Sequence, residues 1–180
     1  MKDNKKTTLG VIIGNRSFFP GDLCKDARER ILKVIQEEDL DVVILDEEST
    51  EYGAVSTLDD AKKCGRLFAE HRHEIDGILV TLPNFGEEKM IAHTIRYADL
   101  NGPILVHAFS DDVEAMSIQY RRDSFCGKIS VCNNLKQFGF KYSLTSLHTL
   151  APESAQFRND LRRFAATCRV VRGLRGARLG

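Results

Sequence analysis

The first half of the chain alternates short apolar runs with longer amphipathic stretches. Leu9-Gly10-Val11-Ile12-Ile13-Gly14 is too short for a helix and ends in glycine, which predicts a buried strand. From Gly21 to Leu40, Leu23, Ala27, Ile31, Val34 and Ile35 recur at helical spacing with charges between them. Asp41–Asp46 predicts a second strand and Leu58–Glu74 a second helix, with Ala61, Cys64, Leu67 and Phe68 on one face. Thr57 followed three residues later by Asp60 suits an N-cap with an acid in the first turn. Ile75–Leu82 reads as the third strand, closed by Pro83-Asn84. Gly86–Ala98 reads as a helix with Met90, Ile91, Thr94 and Ile95 inward, and Pro103–Ala108 as the fourth strand. Strands this apolar, separated by amphipathic helices, predict a parallel sheet covered on both faces. Right-handed crossovers then give an α/β, doubly wound, flavodoxin-like or Rossmann-like three-layer sandwich.

Beyond Phe109 the pattern loosens. Ser110–Asp123 is polar, Lys128–Phe138 predicts a helix, Tyr142–Leu147 a short strand, and Pro152 opens a helix with Phe157, Leu161, Phe164 and Ala165 in one stripe. Arg169–Gly180 reads as a connection followed by the opening of another strand. The division that follows is a single α/β domain over 1–170, then a linker or the start of an absent further domain over 171–180.

Composition narrows the function classes. The chain has 180 residues, 42% hydrophobic and 29% charged, enough for one domain with a substantial core. Its 26 basic and 26 acidic residues cancel, so no global field favours nucleic acid or an acidic membrane, and neither is expected as a partner. No apolar run approaches the roughly 20 residues that span a bilayer, and the charged start lacks a signal-peptide pattern. The expected compartment is the cytoplasm. The five cysteines form no CxxC pair, which removes the usual zinc and thioredoxin-type readings and leaves small buried hydrophobes.

Ligands of open α/β sheets bind at the carboxyl ends of the strands. The loop after the first strand, Gly14–Gly21, is neither a GxGxxG fingerprint nor a P-loop, so nucleotide use has no support. It offers Asn15, Arg16 and Ser17, donors suited to hydroxyls or an anion, although a loop arginine in a surface salt bridge explains Arg16 equally well. After the third strand, Asn84 and Glu87 are positioned to touch a polar ligand, but an N-cap at Asn84 with Glu87 as its capping-box partner is the preferred reading. After the fourth strand, His107 lies near Asp111 and Asp112, and helix capping accounts for those acids more simply than a metal does. His71, His73, His93 and His148 have no carboxylates at ligand spacing, and no residue is assigned to a metal.

Three segments together resemble the L-fucose/L-arabinose isomerase superfamily, in particular the amino-terminal domain of fucose isomerase-like proteins. They are Gly14–Pro20, Leu82–Gly86, and Asp123–Lys128 running into Val131–Leu135; the closing Arg172–Gly180 resembles the passage into that family's second domain. The resemblance implies a metal-dependent aldose–ketose isomerase, usually manganese-bound and a homo-oligomer. Its ligands and catalytic carboxylates come from later domains, so it assigns no catalytic residue, metal ligand or bound cofactor to this chain. It implies instead subunit contacts and part of a sugar-binding surface: Arg16 first, then Asn15, Asn84 and a loop from Ser124 to Lys128. The alternative is a stand-alone flavodoxin-like module that binds or senses a small ligand without chemistry, and fold class does not decide between them.

Overall fold

The computed structural model describes residues 5–117 and 119–177. Five parallel strands, β1 (Thr8–Ile13), β2 (Asp41–Ile44), β3 (Ile75–Leu82), β4 (Ile104–Ala108) and β5 (Ser143–Leu144), form one sheet in the order β2-β1-β3-β4-β5. Every residue of β1 and β4 is buried, as continuous apolar runs require in a sheet covered on both sides. The edge strands β2 and β5 are exposed or half-buried.

Alternation along the strands divides the core in two. Leu9, Val11 and Ile13 point to one face with Leu79 and Leu105. There they pack on α1 (Asp22–Glu37) through Ala27 and Ile31, and on α5 (Ala155–Gly176) through Phe157, Leu161 and Phe164. Ile12, Ile78, Val80 and Val106 point to the other face. They meet Phe68 of α2 (Leu58–Glu70), Ile91 and Ile95 of α3 (Glu88–Ala98), and Val131 and Leu135 of α4 (Ser124–Gln137). Gly10 is required by that second layer: a Cβ there would lie 2.9 Å from the Phe68 ring. The result is the doubly wound three-layer sandwich that the pattern predicts.

The expected cap at Thr57 is a full capping box, with Thr57 Oγ1 accepting from the Asp60 amide at 3.2 Å and the Asp60 carboxylate accepting from the Thr57 amide at 2.8 Å. Two expectations change. Helix α4 begins at Ser124, four residues before the periodicity suggests. Residues 169–176 are the last turns of α5, where a connection was expected; Arg172 pairs with Asp76 of β3 at 2.8 Å and holds this end of the helix against the sheet. The final part of the expected linker, 178–180, lies outside the described residues. Cys24, Cys64 and Cys168 are buried as expected of small hydrophobes, Cys132 is half-buried, and Cys126 is exposed. No described helix is long and apolar enough to cross a membrane.

The chain leaves β1 towards β2 on one side of the sheet and leaves β3 towards β4 on the other. The loops that follow β1 and β3 therefore diverge from adjacent strand ends, the position of the ligand crevice in open α/β sheets.

Candidate functional site

The loop after β1 is held from both sides through its own backbone groups. The Gly14 amide donates to Thr81 O at 3.0 Å, the Asn15 amide donates to Val55 O at 3.0 Å, and Ser56 Oγ donates to Asn15 O at 3.1 Å. Asn84, at the end of β3, then joins the two loops. Its Oδ1 accepts from the amides of Arg16 (3.2 Å) and Gly86 (3.0 Å), which fixes the amide orientation. Its Nδ2 consequently donates to Asn15 Oδ1 at 2.8 Å. That bond orients Asn15 in turn and leaves Asn15 Nδ2 as a buried donor with no acceptor in the structure.

This corrects the sequence reading of Asn84. It does not cap α3, whose first turn is preceded by Glu87 with no side-chain cap. Gly86, at φ 72°, turns the chain away before the helix starts, so the Asn84 carbonyl meets the Gly86 and Arg16 amides instead of the first-turn amides of α3. Glu87 is no capping-box partner either.

Arg16 is the cationic group that these two loops present, beside Glu87 and Glu88. Its guanidinium lies over the Phe85 ring, 4.2 Å from the centroid. Its Nε donates to Glu87 at 3.2 Å and its Nη2 donates to Glu88. The side chain is 29% exposed, whereas Asn15 and Asn84 behind it are buried. Phe19 stacks on Phe85 at 6.5 Å and continues the aromatic support, and Phe18 beyond it is 67% exposed. The Arg16 partners were missed in the sequence because they are distant along the chain. The usable signal was that loops following neighbouring parallel strands meet, and that one carries an arginine and the other two glutamates.

Ser124 and Lys128 do not join this cluster through exposed groups. Both are buried, and the segment is the opening of a helix where a loop was expected. Contact with the crevice runs instead through Gly127, where a Cβ would lie 1.9 Å from Phe85 O. Lys128 Nζ donates to Thr145 Oγ1 (2.6 Å), His148 O (2.9 Å) and Leu147 O (3.3 Å), using all three ammonium protons to fasten the segment after β5. Burial pulls its pKa down to about 8. Ser124 Oγ, like Asn15 Nδ2, is buried without a partner.

His107 faces the core, not the crevice. Its Nε2 donates to Leu150 O at 2.9 Å, so Nδ1 accepts from Thr81 Oγ1 at 2.8 Å. Complete burial pushes its pKa down to about 3, and the ring is neutral. Asp111 accepts the Arg122 and Asp123 amides at 3.3 and 3.0 Å, just ahead of α4, while Asp112 accepts the Glu114 amide at 3.0 Å within a tight turn. Neither aspartate is the helix cap that was expected, since α4 has no side-chain cap: Asp111 ties down the chain ahead of the helix and Asp112 a local turn.

Among the described residues no three His, Cys, Asp or Glu side chains stand together as metal ligands. The residues around the crevice do not fit a divalent cation, since Glu87 and Glu88 are taken up by Arg16. A phosphate cradle is equally unsupported, because α1 opens on Asp22, itself an acceptor for Tyr52 Oη at 3.2 Å. Concavities of about 470 and 580 Å³ lie elsewhere, beside α2 and at the amino ends of the strands. What the crevice offers is a pre-oriented guanidinium on an open rim, flanked by two carboxylates, with an unsatisfied amide behind it. That set donates to and accepts from hydroxyl groups, and it contains no nucleophile with an adjacent base.

Residues 10–175 match the family model described as fucose/sulfoquinovose isomerase, N-terminal domain. No curated protein sequence matches the chain. A solved structure of FerB, a flavoenzyme NAD(P)H:(acceptor) oxidoreductase from Paracoccus denitrificans, has a TM-score of 0.51 at 16% identity, covering 91% of this chain and 98% of that one. An azoreductase from Bacillus anthracis str. Sterne has a TM-score of 0.39 at 14% identity, covering 90% of this chain and 98% of that one. At such identities the likeness to FerB speaks for the shared sandwich alone.

Proposed function

The chain belongs to the fucose/sulfoquinovose isomerase family as an amino-terminal domain, and from that premise we propose that it supplies a sugar-contacting surface and subunit contacts to a metal-dependent aldose–ketose isomerase without performing the chemistry itself. The observation that carries this is Arg16. Its guanidinium is fixed by Phe85, Glu87 and Glu88 and left partly exposed at the switch point, where open α/β sheets hold ligands. A side chain held that way by two loops is arranged for presentation. An ordinary surface salt bridge needs neither the aromatic platform nor the buried Asn15–Asn84 lock beneath it.

Exposed apolar side chains around the same end of the sheet support the contact role. Phe18 follows β1, while Val113 (81% exposed), Met116 and Tyr120 follow β4. They follow strands that end beside Arg16, and such exposed apolar side chains suit coverage by a second subunit of a homo-oligomer, as do Val170 and Leu174 on α5. The divalent metal, manganese by family resemblance, and the carboxylates that would move the proton are assigned to other domains of the isomerase. In that reaction the metal polarises the sugar oxygens, and the part of this chain is to bind and orient the sugar.

The test is an isomerisation assay on the purified 180-residue chain with manganese and L-fucose or L-arabinose. The expected result is no ketose above background. Turnover that persists through purification and disappears with the protein would overturn the assignment of the chemistry to other domains.

A further inference from the structure

We infer that the Arg16 site selects an uncharged polyhydroxylated sugar and rejects one carrying a sulfonate or phosphate, with Glu87 and Glu88 as the selecting residues. The inference rests on the reading of Arg16 as a sugar contact and narrows it. The family's description names two sugars of different charge: fucose is a neutral deoxyhexose, and sulfoquinovose bears a sulfonate anion. An arginine at the switch point looks at first like the anion-binding group for the second. Its surroundings argue the opposite.

Arg16 brings one positive charge. Glu87 and Glu88, 32% and 18% exposed, bring two negative ones into direct contact with it. The neighbouring cations face carboxylates as well: Arg121 Nε lies 3.2 Å from Asp123 without hydrogen-bonding to it, and Arg122 Nη2 lies 3.6 Å from Asp26 while its Nη1 donates to Pro83 O at 3.0 Å. Each arginine here stands beside a carboxylate, so an entering anion meets carboxylate repulsion and no net positive charge. The helix amino termini nearby do not relieve this, since α3 begins with Glu88 itself and α1 with Asp22.

A hydroxylated sugar meets complementary groups. Two of the five guanidinium N–H donors are used on the glutamates, and the others remain to donate to hydroxyl oxygens. The unused lone pairs of Glu87 and Glu88 accept from sugar O–H groups. A sulfonate, which only accepts, has nothing to offer them. Phe85 closes one face of the guanidinium, so the ligand must approach its edge, where donor and acceptor stand side by side. The two carboxylates therefore orient Arg16 and also set the sign of charge that the site admits.

The experiment is an NMR titration of the ¹⁵N-labelled chain with L-fucose and, separately, sulfoquinovose at equal concentrations. The readouts are the Arg16 Nε–H and Asn15 side-chain amide signals, repeated in the Glu87→Gln/Glu88→Gln variant once its amide spectrum shows a native fold. The expected result is that L-fucose shifts these signals and sulfoquinovose does not, and that the variant gains about tenfold or more in affinity for sulfoquinovose. Equal or stronger shifts from sulfoquinovose in the unaltered chain would overturn the inference while keeping the sugar contact. No gain in the variant would remove the selecting role from the glutamates. Silence from both sugars would reject the sugar contact itself, and the inference with it.

Discussion

His107 and Asn84 are buried polar residues with opposite consequences for stability. An unfolded histidine takes up a proton below its ordinary pKa of 6.5, but His107 in the fold resists until about pH 3. Across that window the unfolded state holds the extra proton, so stability falls with decreasing pH by about 1.4 kcal/mol per pH unit. Urea unfolding at about pH 7 and about pH 4.5 measures this, and His107→Gln should flatten the dependence by that slope; parallel curves for the two proteins would show that the ring does not carry it. Asn84→Ala should cost about 2–4 kcal/mol, because it strips partners from Asn15 and from the Arg16 and Gly86 amides at once. A urea midpoint unchanged by that substitution would deny the lock its role. Arg16 was legible in the sequence as a donor beside a strand end. Its platform on Phe85 and its two glutamates were not, since pairing across about 70 positions leaves no local trace. Lys128 misled for a related reason: a lysine in a polar-looking segment gives no sign that three acceptors wait for it beyond β5.

At the scale of elements, the strands that carry the sheet were readable because burial on both faces forces long apolar runs. Ile75–Leu82 is recovered to the residue. The edge strand β5, only Ser143–Leu144, has too little burial to print a pattern. The start of α4 was hidden because Phe125 and Ile129 lie on its exposed side while Val131 and Leu135 face the core, which erases the amphipathic period. The end of α5 was read as a connection because Gly173 and Gly176 interrupt arginines, yet a helix already propagating through four turns tolerates glycine at about 1 kcal/mol each. The same two helices give a paired prediction. Gly127→Ala drives a methyl into Phe85 O and should destabilise by at least about 2 kcal/mol, loosening α4 from the loop that supports Arg16. Gly173→Ala, with nothing within 4 Å, should stabilise α5 by about 0.5–1 kcal/mol. Chemical denaturation of both variants tests the assignment, and the same sign of change in each would contradict it.

At the scale of the whole molecule, sequence and structure agree on a doubly wound sandwich, and that agreement by itself leaves function open. The strand order β2-β1-β3-β4-β5 is compatible with many activities, and the likeness to FerB illustrates only the frame. That frame brings two loops together around an arginine fixed by an aromatic ring and two carboxylates, over a lock of two asparagines, with Phe18 exposed in the same loop. A balanced charge of 26 against 26 makes local pairing, not a global field, decide what approaches that rim. The account therefore stands or falls on Arg16 acting through binding. The most direct measurement is steady-state kinetics of Arg16→Ala in the isomerase proposed to carry this domain. Loss of a charge-assisted hydrogen bond made equally in ground and transition states should raise KM about tenfold or more and leave kcat within about twofold. A KM unchanged from that of the unaltered enzyme would contradict the sugar contact and leave this domain with assembly alone.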